Sequence, residues 1–311
     1  MKYSENALNI LSLLSLKGIK REWVNRRIKG TESIDDILCI LRNSDKTKPE
    51  WSENFLVGRE KIEEQLSAQK NIDGVVAVGE PGFPIIPSIV KPSERPVVLF
   101  YKGDIKLLSD IHHNVAVIGL LNPSSDIEER EKKFVSKLVE QGYNIVSGLA
   151  LGCDTISHKS ALQGKGKTIA ILPSSLDSIS PASNKQLAEH VVFQDGLLVS
   201  EYFRQPKSKY EMVGRYIERD RLQPMFCKAI CLAASYDVND QGNDSGSRHA
   251  MQKAKEYGVK RYVMYDNLRD GDNPQFDLSR KLLRDSDVKI LSGKTLSEII
   301  SNQLIEHNLF S

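Results

Sequence analysis

From residue 114 onward the chain repeats one pattern: a short, continuous apolar run, then a segment long enough for a helix. The runs are Val115–Ile118, Asn144–Val146, Thr168–Leu172, Leu197–Val199, Ala229–Ala233 and Tyr262–Met264. Ile127–Gln141 and Ser157–Gln163 are two of the intervening segments. Strands that are apolar at consecutive positions bury both faces, as happens when helices cover both sides of a parallel sheet. The expected fold class is therefore α/β: an extended Rossmann-like, mostly parallel sheet with helices on both faces. In such sheets ligands collect outside the carboxyl ends of the strands.

The first 70 residues lack this rhythm. Leu8, Ile10, Leu11 and Leu14 make one apolar helix face, and Ile34–Leu41 and Glu60–Leu66 supply two further helical patterns. A small helical N-terminal domain is expected over residues 1–70, followed by a Rossmann-like domain over 71–311 with 71–112 as its N-terminal extension. In that extension Gly74–Gly79 and Pro96–Tyr101 read as strands, and Pro81, Pro84, Pro87 and Pro92 break helices between them. Ala7–Leu16 could pass for a signal-peptide core, but Asn9, Ser12 and Ser15 interrupt it and no small-residue cleavage site follows.

Net charge is only +2, so a nucleic-acid footprint has to be a local patch. No stretch approaches the 18 or so apolar residues of a membrane span, and no membrane partner is expected. Cys39, Cys153, Cys227 and Cys231 form no CxxC pair and have no histidine at metal spacing, so no metal is expected. Such cysteine usage fits a reducing cytoplasm.

Three loops follow apolar runs and precede helices: Gly119–Ser125, Ser147–Asp154 and Asn243–Arg248. Gly119, Gly148 and Gly152 allow close backbone approach, while Asn122, Ser124, Ser147 and Asp154 are helix-start residues. Helix N-termini present free N–H groups that cradle phosphates. Each loop alone is as well explained by turns and caps. Three on one edge favour a phosphate-bearing ligand. Gly166-Lys-Thr168 and Gly293-Lys-Thr295 echo the end of a P-loop, but Ala161 and Val288 stand where its first glycine belongs. No GxGxxG occurs, and no cofactor is expected.

A basic segment precedes Ala229–Ala233. Arg204, Lys207, Lys209, Arg215, Arg219, Arg221 and Lys228 are interleaved with Tyr202, Phe203, Tyr210 and Tyr216. Cations neutralise phosphates and aromatic faces stack on unpaired bases. The competing reading is a solvated helix face paired with Glu211, Glu218 and Asp220. Were 213–226 one helix, Arg219 and Arg221 would point apart; Arg219 is then expected at the ligand and Arg221 as a brace. Asp154 and His158 sit at helical spacing near Ser147. The flanking sequence is no nucleophile elbow, so Asp154 is expected to cap a helix starting near Thr155, with His158 bracing that turn. Glu201 reads as a lone acid holding a loop.

Ser147-Gly-Leu-Ala-Leu-Gly-Cys-Asp154, followed by His158 and Ala161-Leu162, resembles the signature SGLAxGxDxxxHxxAL of the DprA/Smf family. Thr168–Leu172, Leu198–Tyr202, Glu218–Arg221 and Ser245–Ser247 follow in that family's order, and Phe83–Pro87, Pro96–Gly103 and Val115–Gly119 resemble its upstream stretches. The resemblance covers roughly residues 75–300. It implies single-stranded DNA binding, homodimers and loading of a RecA-type recombinase during natural transformation, without catalysis. It places Arg219 and Arg221 on the family's two motif arginines with Asp220 in place of the middle Asn. Tyr216 falls at a base-stacking position, and Ser245, Gly246 and Ser247 fall on a SGS turn. Lys209 and Arg215 complete the expected nucleic-acid contacts. Two arginines usual in the family are Leu121 and Leu151 here, and no winged-helix extension is expected after residue 311.

Two rival functions remain at this level. A nucleotide-hydrolysing relative would carry PGGxGTxxE, and no such string occurs. A nucleotide-ligand sensor, in an antiphage or mobile-element setting, would suit the loss of the first-loop arginine.

Overall fold

The computed structural model describes residues 2–44, 48, 50–238 and 246–306, with side chains described as far as residue 300. Four helices come first: α1 (Glu5–Ser15), α2 (Arg21–Arg27), α3 (Ile34–Arg42) and α4 (Trp51–Ser67). Their starts follow from local chemistry. Ser4 caps α1 by accepting from the Ala7 amide, and Ser33 and Asp36 exchange hydrogen bonds in a capping box at α3.

The remainder alternates: β1 (Gly74–Ala77), β2 (Val98–Gly103), β3 (Asn114–Ile118), α5 (Ser125–Glu140), β4 (Asn144–Ser147), α6 (Cys153–Gln163), β5 (Thr168–Leu172), α7 (Lys185–Phe193) and β6 (Leu197–Ser200). Then come α8 (Lys209–Asp220), α9 (Leu222–Met225), β7 (Ala229–Leu232), α10 (Ser247–Glu256), β8 (Lys260–Val263), α11 (Asp277–Leu282), β9 (Val288–Ile290) and α12 (Gly293–Glu306). The nine strands form one sheet in the order β1-β2-β6-β5-β4-β3-β7-β8-β9. The seven strands from β6 to β9 run parallel; β2 and β1 are added antiparallel at one edge. The Rossmann-like expectation is borne out.

Strand periodicity sorts the core. Val75, Ala77, Val98, Phe100, Leu172 and Leu198 share one cluster with α1–α4 and α7, while alternate residues Val76, Leu99, Ile169, Ile171 and Val199 face the other. The N-terminal helices therefore pack directly on the β1-β2-β6-β5 side of the sheet. The expected single helix over 213–226 is two helices, α8 and α9, divided at Arg221. Pro224, inside α9, has no amide to donate to the carbonyl four residues back, which interrupts the hydrogen-bond ladder that would join the two helices. Among the described residues no helix is long and apolar enough to cross a membrane.

Candidate nucleic-acid interface

Strands β4, β3 and β7 lie side by side, so the loops leaving their carboxyl ends converge. The order reverses here: β4, β5 and β6 extend one way from β3, and β7, β8 and β9 the other. That is where an open parallel sheet splays its loops into a crevice.

The β4–α6 loop is tightly constructed. A Cβ on Gly148 would lie 1.4 Å from Arg219 Nη1, so a larger residue would displace the guanidinium laid across the loop. Gly152 has φ +69°, and a Cβ there would lie 2.2 Å from the Leu120 carbonyl oxygen, locking this loop to the β3–α5 loop. Asp154 corrects the sequence expectation. α6 starts at Cys153 with Gly152 as its N-cap, so Asp154 already lies in the first turn and does not cap it. Its Oδ2 turns back and accepts from the amides of Gly148 and Ala150, both at 3.2 Å. Those amides hold the loop shut on Asp154. His158 likewise leaves its own turn: its Nδ1 meets Thr168 Oγ1 at 2.7 Å, and Thr168 donates to the Ile145 carbonyl, so Nδ1 carries the proton. Burial, followed by the nearby Arg219 charge, pushes the His158 ring down to about 3, which removes it as a base near neutrality.

In the β3–α5 loop Ser124 caps α5 through the Ile127 amide. A Cβ on Gly119 would meet Cys153 Sγ at 2.6 Å. Ser147 donates to the Val117 carbonyl at 2.7 Å, and the Asn122 carbonyl accepts from Gln275. Leu121 and Leu151, where the family resemblance calls for arginines, are 54% and 45% exposed at the mouth. Of the third loop, Ser245 lies outside the described residues; Gly246 and Ser247 open α10, and Ser247 Oγ reaches the Gly119 carbonyl at 3.4 Å.

The basic segment divides by depth. Arg215, Arg219 and Arg221 are all buried. Arg215 pairs with Glu211 at 2.6 Å and donates to the Arg204 carbonyl at 2.7 Å, with its guanidinium over the Tyr202 ring. Arg219 donates to the Ile171 carbonyl at 3.2 Å and lies over the Tyr216 ring. Asp220 Oδ1 is 3.4 Å from Arg219 Nε, an ion contact without hydrogen-bond geometry. Arg221 makes a two-pronged pair with Glu201 at 2.8 and 2.7 Å and donates to the Glu94 carbonyl. Glu201 is thus held by Arg221 and, from α2, by Arg21 at 3.5 Å. Burial alone would raise the Glu201 carboxyl, but these two guanidinium groups hold it below the usual range. Tyr216 is half-buried with its hydroxyl 3.4 Å from Ser180 Oγ, while Lys209 is exposed.

Two further acids crowd this centre. Burial pushes Asp220 up to about 7 against the pull of Arg219, and burial also raises Asp154. Asp220 Oδ2 has no partner and occupies the space a Cβ on Gly246 would need, 2.5 Å away. Among the described residues no group of three His, Cys, Asp or Glu side chains is placed to hold a metal.

The sequence matches the family described as DNA recombination-mediator protein A over residues 75–294. The chain belongs to this family. DprA of Bacillus subtilis is 36% identical over 215 residues, covering 69% of this chain and 67% of that protein. DprA of Streptococcus pneumoniae is 33% identical over 181 residues, so the match spans 58% of that relative's length. The X-ray structure of the pneumococcal DprA superposes with a TM-score of 0.72 at 25% identity, covering 94% of this chain and 97% of the other. DNA processing protein A from Helicobacter pylori, described for its single-stranded DNA binding mode, superposes at 0.59 with 27% identity, covering 75% and 96%. Arg21 and Glu94 escaped the sequence reading: one lies before the matched region, and neither belongs to a motif.

Proposed function

We propose that this member of the DNA recombination-mediator protein A family binds single-stranded DNA across the edge where β4, β3 and β7 end, and mediates recombination. The observation that carries the reading is the family match through residues 75–294, which includes the Arg219-on-Gly148 lock. Tyr216 offers the stacking face, Lys209 and the start of α8 the phosphate contacts, and the β3–α5 and β4–α6 loops the floor. Gly246 and Ser247, with Ser245 outside the described residues, belong to the same proposed surface. Arg215, Arg219 and Arg221 act from beneath it, by holding loops and rings in place.

We further infer a cytoplasmic homodimer that hands its strand to a RecA-type recombinase, and a helical unit over 1–70 serving the Rossmann-like unit. We infer no enzymatic turnover: the P-loop echoes lack their first glycine, and His158 carries no usable basicity. The test is fluorescence anisotropy with labelled oligo(dT) against a duplex of equal length, over a salt series. Single-strand preference with affinity falling steeply as salt rises supports the reading. Equal affinity for duplex counts against it. Stabilisation by mononucleotides but not by oligo(dT) would favour a nucleotide sensor, a reading that the exposed Leu121 and Leu151 make worth the control.

A further inference from the structure

A second feature sits beside the proposed interface. A cavity of about 450 Å³ opens between the segment after β5 and the start of α8. Ser174, Ser178, Ser180, Lys207, Lys209 and Met212 are among its lining residues, and no carboxylate lines it. The cavity holds the N-terminus of a twelve-residue helix. Ser208 Oγ accepts from the Glu211 amide, and the first helical bond runs from Met212 N–H to the Ser208 carbonyl. The amides of Lys209 and Tyr210 precede that bond and face outward from the helix start. Glu211, in the first turn of α8, is turned to other partners, accepting from the Lys207 amide at 2.8 Å and from Arg215.

The decisive side chain is Ser174. It is 2% exposed, it lines the cavity, and its hydroxyl has no hydrogen-bond partner. A buried hydroxyl without a partner costs stability and calls for a reason. A phosphate oxygen in the cavity would supply its acceptor, with two lysine ammonium groups and a helix start completing the anion's surroundings. Ser180 Oγ, a lining atom 3.4 Å from the Tyr216 hydroxyl, sets the proposed stacking residue beside the cavity.

We propose that this cavity is a phosphate subsite that takes one backbone phosphodiester of a bound strand, next to a base stacked at Tyr216. The proposal rests on the single-stranded DNA reading above. Ser174→Ala and Lys209→Ala test it in the full chain. Lys209→Ala lowers the salt exponent of oligo(dT) binding by about 0.7, the value for one phosphate on a single strand. Ser174→Ala weakens oligo(dT) about tenfold, the loss of one hydrogen bond to a charged group. Its melting temperature stays level or rises, because the unpaired hydroxyl is gone. If oligo(dT) binds the wild type and both variants with the same affinity and slope, the subsite is wrong. Thymidine monophosphate binding as tightly as oligo(dT) would overturn the phosphodiester assignment. Should the wild type ignore oligo(dT), the single-strand reading fails and inorganic phosphate decides the subsite. At matched ionic strength, a thermal shift present in the wild type and lost in Ser174→Ala upholds an anion site, and equal shifts refute it.

Discussion

Arg221→Met is expected to destabilise the fold far more than it weakens any ligand contact. The Arg221 and Glu201 side chains are 4% and 9% exposed, and their two hydrogen bonds measure 2.8 and 2.7 Å. Removing one partner of a buried pair costs about 3–5 kcal/mol where the other charge is left alone; Arg21, 3.5 Å from Glu201, keeps the loss to the lower end of that range. For a chain of this size each kcal/mol moves melting by roughly 2–4 °C, so the variant should melt at least roughly 6 °C lower. Glu201→Gln should cost less alone, and the double variant should lose less than the two single losses added, because no charge is then left unpaired. The pH dependence has a definite sign. The Glu201 carboxyl is depressed in the folded state, so the pair contributes its stability above the ordinary carboxylate value of about 4.3 and loses it as pH falls through the folded value. The Arg221→Met penalty therefore shrinks in acid. Calorimetry at neutral pH and in a series extending well below about pH 4 measures this. An Arg221→Met protein melting within about 1 °C of wild type, or exactly additive losses in the double variant, would refute the brace and return Arg221 to the ligand.

The two loop glycines should separate by what stands in their way. Gly148→Ala displaces a guanidinium that can move, at roughly 1–3 kcal/mol, whereas Gly152→Ala drives a Cβ into two backbone carbonyls at positive φ and should cost more in chemical denaturation. Asp220→Asn should raise the melting temperature at pH 8 and much less at pH 5: the folded carboxyl, pushed up to about 7, holds its proton longer than the unfolded one, so wild-type stability falls as pH rises through that range and the amide does not follow. A flat difference between the two variants across pH would show that Asp220 titrates normally. Tyr216→Ala should weaken oligo(dT) by about 1–3 kcal/mol with little change in sequence preference, read by anisotropy on oligo(dT) and oligo(dA).

The strands from β3 to β8 were legible because both of their faces are buried, which leaves apolar residues at consecutive positions. β9 was not, since only Val288 of its three residues is buried. α2 offers only Trp23 and Val24 to the core, too few for a readable period. The start of α6 was misjudged by two residues because Asp is so often a cap; here the glycine before Cys153 takes that place and frees Asp154 for the loop amides. The arginines were found by charge, but their depth was hidden. Arg215 has its acid four residues away, which a helix pattern reveals, whereas Arg221 meets the Glu201 carboxylate just after β6 and the Glu94 carbonyl in a loop far back in the chain. Charge density along a sequence locates guanidinium groups without telling whether they face water.

The sheet's two borders limit how copies of this chain can associate. At β1 the backbone is not left open, because the Val75 amide donates to the Lys2 carbonyl at 2.7 Å. At the opposite border β9 spans three residues and carries Lys289, paired with Glu298 of α12. Neither border offers a long bare ladder on which a second sheet could grow. With both borders closed in this way, another chain approaching the sheet meets side chains before it meets an unpaired backbone ladder.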